Sequence, residues 1–120
     1  MSAMPKLKYF TIEEFKCSHS GLVFMDDYFL LLLDELRAAC GFPFVITSGY
    51  RSPTHPVEAR KSTPGTHAKG IAADIATASS EARYAIISNA MRLGCTGVGV
   101  ANTFVHLDVR DTTPVVWTYN

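Results

Sequence analysis

Four side chains in the second half of the sequence have types and spacings that suit metal binding. His67 stands in a turn between two glycines, and Asp74 follows it seven positions later within an apolar run. His106 and Asp108 alternate with apolar residues, so both point to one face of a predicted strand. Imidazole is the commonest transition-metal ligand, and a buried carboxylate needs a cation or strong hydrogen-bond donors beside it. A metal ion held with His67 would meet that need for Asp74.

These residues favour a site of two histidines and one carboxylate, formed by His67, Asp74 and His106. Such a site leaves a fourth position for water, which is the pattern of catalytic rather than structural zinc. The alternative is that His67 and Asp74 only make hydrogen bonds, and that His106 is an ordinary histidine on a half-buried strand. Periodicity sets no distance between His106 and the other two residues, so both interpretations remain open at this point.

Helices and strands that could position these residues follow from capping and periodicity. Three helices are predicted: a short one beginning at the capping box Thr11 to Glu14, one from about Asp27 to Cys40, and one from Ser79 or Ser80 to about Leu93. Gly41 and Gly94 supply the stop signals. Four strands are predicted: Phe44 to Thr47, Ile71 to Ala76, Gly97 to Val100 and Phe104 to Val109, the last two as a hairpin. The long segment from Ser48 to Thr66 is predicted to be a loop.

This order of elements predicts a single α+β domain over residues 1–120, with helices against a mostly antiparallel sheet. The chain has 120 residues, of which 48% are apolar and 18% charged, and this composition excludes a disordered chain. Basic and acidic residues number 11 each, so the net charge gives no footprint for a nucleic acid or an anionic membrane. The longest apolar run, Tyr28 to Leu33, is too short for a membrane span. We expect a monomer without a nucleic-acid partner.

Two further features concern the compartment. The three cysteines, Cys17, Cys40 and Cys95, are odd in number and widely spaced, so no disulfide scaffold is predicted and a reduced compartment fits better. The segment from Met1 to Tyr9 lacks the apolar core of a secretory signal. We therefore expect synthesis in the cytoplasm, with release by another route if the protein acts outside the cell membrane.

Three blocks of the sequence together resemble the M15 zinc peptidases. They are Thr47-Ser48-Gly49-Tyr50-Arg51-Ser52-Pro53, the run from Thr66 to Ile75, and Phe104-Val105-His106-Leu107-Asp108-Val109-Arg110. The family includes D-alanyl-D-alanine carboxypeptidases and phage endolysins, and it shares a fold with the hedgehog signalling domain. The segment from Tyr9 to Phe15 is similar to the one that precedes the catalytic core in the short, single-domain branch. The resemblance implies one zinc ion and hydrolysis of amide bonds in peptidoglycan stem peptides.

The resemblance also implies roles for individual residues. His67, Asp74 and His106 fall on the family's zinc ligands, and Arg51 falls on an arginine that binds the substrate's carboxylate or carbonyl oxygen. A guanidinium group matches either of these, because its planar fork suits a carboxylate or a developing oxyanion. Three further candidates for substrate contacts lie on or near the same loop: Ser48, Tyr50 and His55. The alternatives are that Ser48 shapes the turn, that Tyr50 belongs to the core and that His55 is a solvated loop residue. Trp117 could flank the cleft or belong to the core.

The sequence departs from the family pattern in two places. Many relatives carry a carboxylate, the general base, three residues before the last ligand histidine, and this position is Thr103 here. We nominate Asp108 as the base or as the residue that orients a ligand histidine, with a salt bridge to Arg51 or Arg110 as its alternative. The loop from Pro53 to Thr66 also differs, which changes the rim of the groove.

Two hypotheses about function follow. The first is a zinc peptidase, either a D,D-carboxypeptidase or an endolysin-type endopeptidase, that acts on stem peptides with Arg51 and Asp108 as catalytic residues. The second is a zinc-containing module of the same fold that binds the cell wall or forms part of a phage particle without catalysis. Thr103 favours the second hypothesis, whereas the complete ligand set and Arg51 favour the first.

Overall fold

The computed structural model describes residues 5–119 and consists of a five-stranded sheet with the two long helices packed on one face. A four-residue 3₁₀ helix, Ile12–Phe15, precedes the α-helices α1 (Asp27–Cys40), α2 (Pro56–Ala59) and α3 (Ser80–Leu93). The strands are β1 (Ile46–Ser48), β2 (Ala72–Ala76), β3 (Gly97–Val100), β4 (Phe104–Asp108) and β5 (Val115–Thr118). The predicted α+β class is therefore confirmed.

Local signals in the sequence define the two long helices. The Asp26 carboxylate accepts a hydrogen bond of 3.0 Å from the first turn of α1, and the Ser79 hydroxyl accepts one of 3.1 Å from the first turn of α3. Gly41 and Gly94 end the two helices with φ angles of 76° and 111°, a region that favours glycine. These bounds agree with the predicted ones within a residue.

The sheet has the strand order β1-β2-β4-β3-β5, and every neighbouring pair except β3 with β5 is antiparallel. The predicted hairpin of β3 and β4 is present, and β4 lies at the centre of the sheet. The register pairs Asp74 on β2 directly with His106 on β4. On the other side of β4, Gly97 pairs with Asp108 and Gly99 pairs with His106. This register places the candidate ligands of β2 and β4 side by side.

The two faces of the sheet have different roles. Ala73 and Ile75 of β2, together with Val105 and Leu107 of β4, are fully buried in the hydrophobic core, which they form with α1 and α3. Since side chains alternate along a strand, Asp74, His106 and Asp108 are on the opposite face. The core thus fixes the orientation of the polar face, because a shift of one residue would exchange the two.

Four elements differ from the prediction. The predicted first helix is only a 3₁₀ turn, and β1 begins two residues later than predicted. The predicted loop between Ser48 and Thr66 contains the single turn α2, which begins with Pro56 at its first position. The tail contains a strand, β5, which pairs in parallel with β3 at the edge of the sheet. Its four residues show no alternation of polar and apolar types, so periodicity gave no signal for it.

The structure also bears on two expectations about the class of protein. None of the helices within residues 5–119 is long and apolar enough to cross a membrane. Cys17, Cys40 and Cys95 are all free thiols. The fold is therefore held together by its core and its sheet, without a disulfide among these three residues.

The close approach of β3 to β4 yields a stability prediction. A Cβ atom at Gly97 would overlap the carboxylate of Asp108. We expect Gly97→Ala to lower the free energy of unfolding by about 1–3 kcal/mol, because an added methyl group in a packed site forces the backbone or its neighbour to move. Where room exists, replacing glycine by alanine usually raises stability by about 0.4–1 kcal/mol. The sign of the change, measured by urea unfolding, therefore tests the packing.

Ser88→Ala is the control for this measurement, because Ser88 is exposed on α3 and its loss should leave the unfolding free energy almost unchanged. A stabilised Gly97→Ala variant would contradict the close packing of Gly97 against Asp108.

Candidate metal centre

His67, Asp74 and His106 converge at one point on the polar face of the sheet. The Asp74 Oδ1 atom lies 3.3 Å from His67 Nε2 and 3.0 Å from His106 Nδ1. One ligand atom from each residue lies within 4.8 Å of the other two, and all three residues are buried. Asp74 and His106 are cross-strand partners, whereas His67 comes from the turn before β2. The structure therefore brings together the three residues that the sequence predicts as ligands.

The outward nitrogen of His67 is held by the backbone at the end of β1. His67 Nδ1 lies 2.8 Å from the Gly49 carbonyl oxygen. A carbonyl can only accept, so Nδ1 carries a hydrogen and Nε2 is the nitrogen that faces Asp74. Gly49 packs closely on the 3₁₀ helix, since a Cβ atom there would lie 2.6 Å from the Phe15 Cα atom. The glycine therefore allows the chain to bring this carbonyl to the histidine.

The outward nitrogen of His106 is held by Asp108. His106 Nε2 lies 2.7 Å from Asp108 Oδ2, which leaves Nδ1 as the nitrogen that faces Asp74. Arg110 binds both oxygens of the same carboxylate, through Nε at 2.9 Å and an Nη atom at 2.6 Å. Asp108 is completely buried behind the ring of His106. Two salt bridges were considered for Asp108, and the structure contains the one to Arg110. Arg51 instead lies near Glu58 and Asp74.

The charges of these groups are strongly coupled. Burial alone would raise the pKa of Asp74, but hydrogen bonds from His106 and His67 outweigh it and lower the pKa to about 2. Burial lowers the pKa of His106, whereas the carboxylates of Asp108 and Asp74 outweigh this effect and raise it. Burial likewise opposes the ionised form of Asp108, yet His106 and Arg110 hold its pKa well below the usual range. Both carboxylates are thus anionic at neutral pH.

This donor set fits a divalent transition metal. Two imidazole nitrogens and one carboxylate oxygen face a common point, and each histidine has its second nitrogen fixed by an acceptor. Metal-binding histidines almost always have such an acceptor, because it sets the tautomer and the ring orientation. The three residues form a metal-binding triad in chemistry as well as in position.

Arg51 approaches the triad from the side of the second Asp74 oxygen. Its Nη2 atom lies 3.7 Å from Asp74 Oδ2, and its Nη1 atom lies 3.9 Å from the Glu58 carboxylate. Glu58 is a buried residue of α2 that also binds Lys61 and the backbone of Gly65. Burial would raise the pKa of Glu58, but Lys61, Gly65 and Arg51 lower it. Sequence reasoning missed Glu58, because α2 lies within the predicted loop.

The three other candidates for substrate contacts lie outside the cleft that contains the triad. Ser48 is part of β1. Tyr50 is buried, with its ring 5.5 Å from that of Phe24. His55 caps α2, where its Nδ1 atom accepts a hydrogen bond of 3.1 Å from the backbone of α2. Of the substrate contacts predicted from the sequence, Arg51 is therefore the one that the structure places in the cleft.

The opposite wall of the cleft comes from β5 and the residue after it. The Trp117 ring lies 5.1 Å from the ring of His106, and the Arg110 guanidinium stacks 4.9 Å above Trp117. The Tyr119 ring lies 5.2 Å from that of Phe104. Burial and the nearby carboxylate of Asp74 raise the pKa of Tyr119, although Trp117 and Arg51 act against them. Tyr119 was not recognised from the sequence, because the strand that carries it into the cleft was not predicted.

The cleft lined by these groups has a volume of about 390 Å³, within the usual range for small-ligand sites. It is lined by Arg51, Val57, Lys61, Thr66, His67, Asp74, Phe104, His106, Arg110, Trp117 and Tyr119. Asp74 supplies the carboxylate on this lining, whereas three residues supply cations: Arg51, Lys61 and Arg110. Each of these cations is paired with a carboxylate: Arg51 with Asp74 and Glu58, Lys61 with Glu58, and Arg110 with Asp108.

Comparison with known proteins agrees with the geometry of the site. Residues 8–108 match a family model described as Peptidase M15. Among curated proteins, none matches the chain significantly. The matched region contains Arg51 and all three residues of the triad, and it ends before β5. Because it covers most of the chain, the protein belongs to the peptidase M15 family.

Proposed function

We propose that this M15 peptidase is a zinc enzyme that hydrolyses amide bonds in the stem peptides of bacterial peptidoglycan, as a D,D-carboxypeptidase or an endolysin-type endopeptidase. The observation that carries the proposal is the meeting of His67, Asp74 and His106 with Arg51 in one cleft. A metal triad beside a partly exposed guanidinium is suited to amide hydrolysis, in which an oxyanion develops next to an attacking water.

His67 Nε2, Asp74 Oδ1 and His106 Nδ1 would hold the zinc ion. When bound, zinc supplies Lewis acidity, which lowers the pKa of a coordinated water to about 7 and polarises a carbonyl oxygen. The protein contributes orientation: Gly49 and Asp108 fix the outward nitrogens of the two histidines, so neither ring can turn its lone pair away.

Arg51 is proposed to bind the substrate. Its guanidinium is held between Asp74 and Glu58 at distances near 4 Å, which are long for hydrogen bonds. The remaining N–H groups are thus available to a ligand in the cleft. Glu58 and Asp108 neutralise Lys61 and Arg110, so the net positive charge of the lining would come from the zinc ion, which favours a substrate with a free carboxylate over a neutral one. Stem peptides end in a carboxylate and meet this requirement.

Of the two roles considered for Asp108, we propose that it positions His106 and is not the general base. Both of its oxygens already accept hydrogen bonds, from His106 and Arg110, and the carboxylate is buried on the far side of the His106 ring. A base must reach the proton that it removes, within about 2.6–3.2 Å or through one water. Thr103, at the family's usual position for the base, is exposed in the turn between β3 and β4.

The second candidate function is a zinc-containing module that binds cell-wall fragments without cleaving them. Thr103 favours this candidate, because it cannot act as a base. Such a module would keep the metal triad as a structural element and the positive cleft as a binding surface. It predicts binding without turnover, which separates it from the peptidase.

The proposed function predicts the effect of removing one ligand. We expect zinc-loaded wild-type protein to shorten or cut stem peptides in purified peptidoglycan. His67→Ala should lose at least about 10³-fold in rate and fall well below one zinc per chain, because two ligands do not make a stable site. Mass spectrometry of the released peptides and elemental analysis of the protein provide the two measurements.

His19→Ala is the matched control, since His19 is an exposed histidine away from the triad and its loss should change neither quantity. Intact stems with zinc-loaded wild type would contradict the peptidase, and wall binding under the same conditions would then support the non-catalytic module. A wild-type protein that purifies with less than a tenth of an equivalent of metal and takes up no added zinc would contradict both.

The role of Asp108 yields a pH prediction. Asp108 raises the pKa of His106 above its usual 6.5 in the metal-free protein, so protons compete with zinc already near neutral pH. We expect Asp108→Asn to weaken zinc binding by about 10–100-fold at pH 8, where protons compete least within the range measured. The acid loss of affinity should begin at lower pH in the variant, because the pKa of His106 falls when the carboxylate is removed. Zinc titrations with a competing chelator from pH 5.5 to 8 measure both effects.

Asp111→Asn removes an exposed carboxylate three positions away and serves as the control. Equal zinc affinity of wild type and Asp108→Asn at pH 8, with the same onset of acid loss, would show that Asp108 does not position His106.

A further inference from the structure

Tyr119 is held in the cleft by contacts that fix both its backbone and its ring. Its backbone N–H donates to the Val100 carbonyl at 3.1 Å, which continues the pairing of β5 with β3 by one residue. Its ring packs 5.2 Å from Phe104 and 6.3 Å from Trp117. The side chain nevertheless lines the same cleft as Asp74 and remains partly exposed, at 45% for the residue. The phenol is thus positioned on one side and open to a ligand on the other.

The neighbouring strand is shaped to accept this aromatic wall. A Cβ atom at Gly99 would lie 2.8 Å from the rings of both Trp117 and Tyr119. Any other residue at this position of β3 would therefore displace the two rings or the strand. The two rings occupy space that is free only because residue 99 is a glycine, so their positions are fixed by packing against β3.

The Tyr119 hydroxyl differs from the cationic groups of the cleft. Each of the three cations on the lining has a carboxylate partner: Asp74 and Glu58 for Arg51, Glu58 for Lys61, and Asp108 for Arg110. The Tyr119 hydroxyl, by contrast, has no acceptor among residues 5–119 for its hydrogen, because the neighbouring indole N–H of Trp117 is a donor only. A partly enclosed hydroxyl without an acceptor is available to bind a substrate oxygen.

We infer that Tyr119 is a catalytic residue whose phenolic O–H donates a hydrogen bond to the substrate carbonyl oxygen as that oxygen becomes an oxyanion. This inference rests on the proposed peptidase function. A donor placed where negative charge develops stabilises the transition state more than the ground state, and such donors contribute factors of about 10²–10³ in kcat. Because Arg51 also faces this region, we expect the loss of one donor to cost about 10–100-fold.

Tyr119→Phe tests the inference, because it removes the hydroxyl and keeps the ring that packs on Phe104 and Trp117. With a soluble disaccharide-pentapeptide from peptidoglycan as substrate, we expect kcat to fall about 10–100-fold, KM to change less than about threefold, and zinc content to stay the same. A phosphinate analogue of the tetrahedral intermediate should bind about tenfold more weakly to the variant in calorimetry. Tyr84→Phe, an exposed tyrosine on α3, is the matched control and should equal wild type in all four measurements.

The outcomes separate this inference from the function on which it rests. An active wild type with an equally active Tyr119→Phe variant overturns the role of Tyr119 and leaves the peptidase intact. A variant with raised KM and unchanged kcat also overturns it, because the hydroxyl then binds substrate and transition state equally. If zinc-loaded wild type leaves the pentapeptide intact, the proposed function fails and the inference fails with it.

Discussion

Burial of the Asp74 carboxylate is the constraint on which the rest of the site depends. An isolated buried carboxylate costs several kcal/mol, roughly, unless cations or donors surround it. Asp74 lies between Ala73 and Ile75, both of which are fully buried and apolar, so its partners must come from other parts of the chain. The turn before β2 supplies His67, β4 supplies His106, and the loop after β1 supplies Arg51. These three segments are brought together by the need to accommodate one charge.

The same requirement extends outward through a chain of contacts. His106 needs an acceptor for its second nitrogen, which Asp108 provides, and Asp108 needs a cation, which Arg110 provides. The Arg110 guanidinium stacks on Trp117, and Trp117 packs against His106, so the contacts lead back to the residue from which they began. Space for this arrangement comes from the glycines at alternate positions of β3, where larger side chains would overlap Asp108 or the aromatic rings. One face of the sheet is thus determined by apolar packing. The other is determined by charge pairing and by the room that the glycines of β3 leave for larger side chains.

Local physics explains how far the sequence predicts this structure. The caps and glycine stops of α1 and α3 act within one turn, and alternation along β4 assigns His106 and Val105 to opposite faces, so both features could be predicted. The meeting of His67 with His106 could not be derived from periodicity, because it depends on the register between β2 and β4, and the family resemblance supplied it. β5 and α2 were missed, since four residues carry too little pattern. Tyr119 and Glu58 were missed for the same reason, because Tyr119 follows β5 and Glu58 is part of α2.

The distribution of proton donors and acceptors in the cleft indicates what kind of catalyst the protein can be. Asp74 is the carboxylate on the cleft lining, and its pKa of about 2 reflects its interactions with His67 and His106. Both oxygens of Asp108 also accept hydrogen bonds, from His106 and Arg110, so this carboxylate is not free to accept a proton from a water. Beyond the triad, the polar side chains on the lining are three cations, the Trp117 indole, the Tyr119 phenol and the Thr66 hydroxyl, all of which can donate to negative charge and none of which accepts a proton readily at neutral pH. In the proposed peptidase, the cleft would therefore favour an anionic transition state through electrostatics, and activation of the water would depend on the metal triad more than on a dedicated carboxylate base.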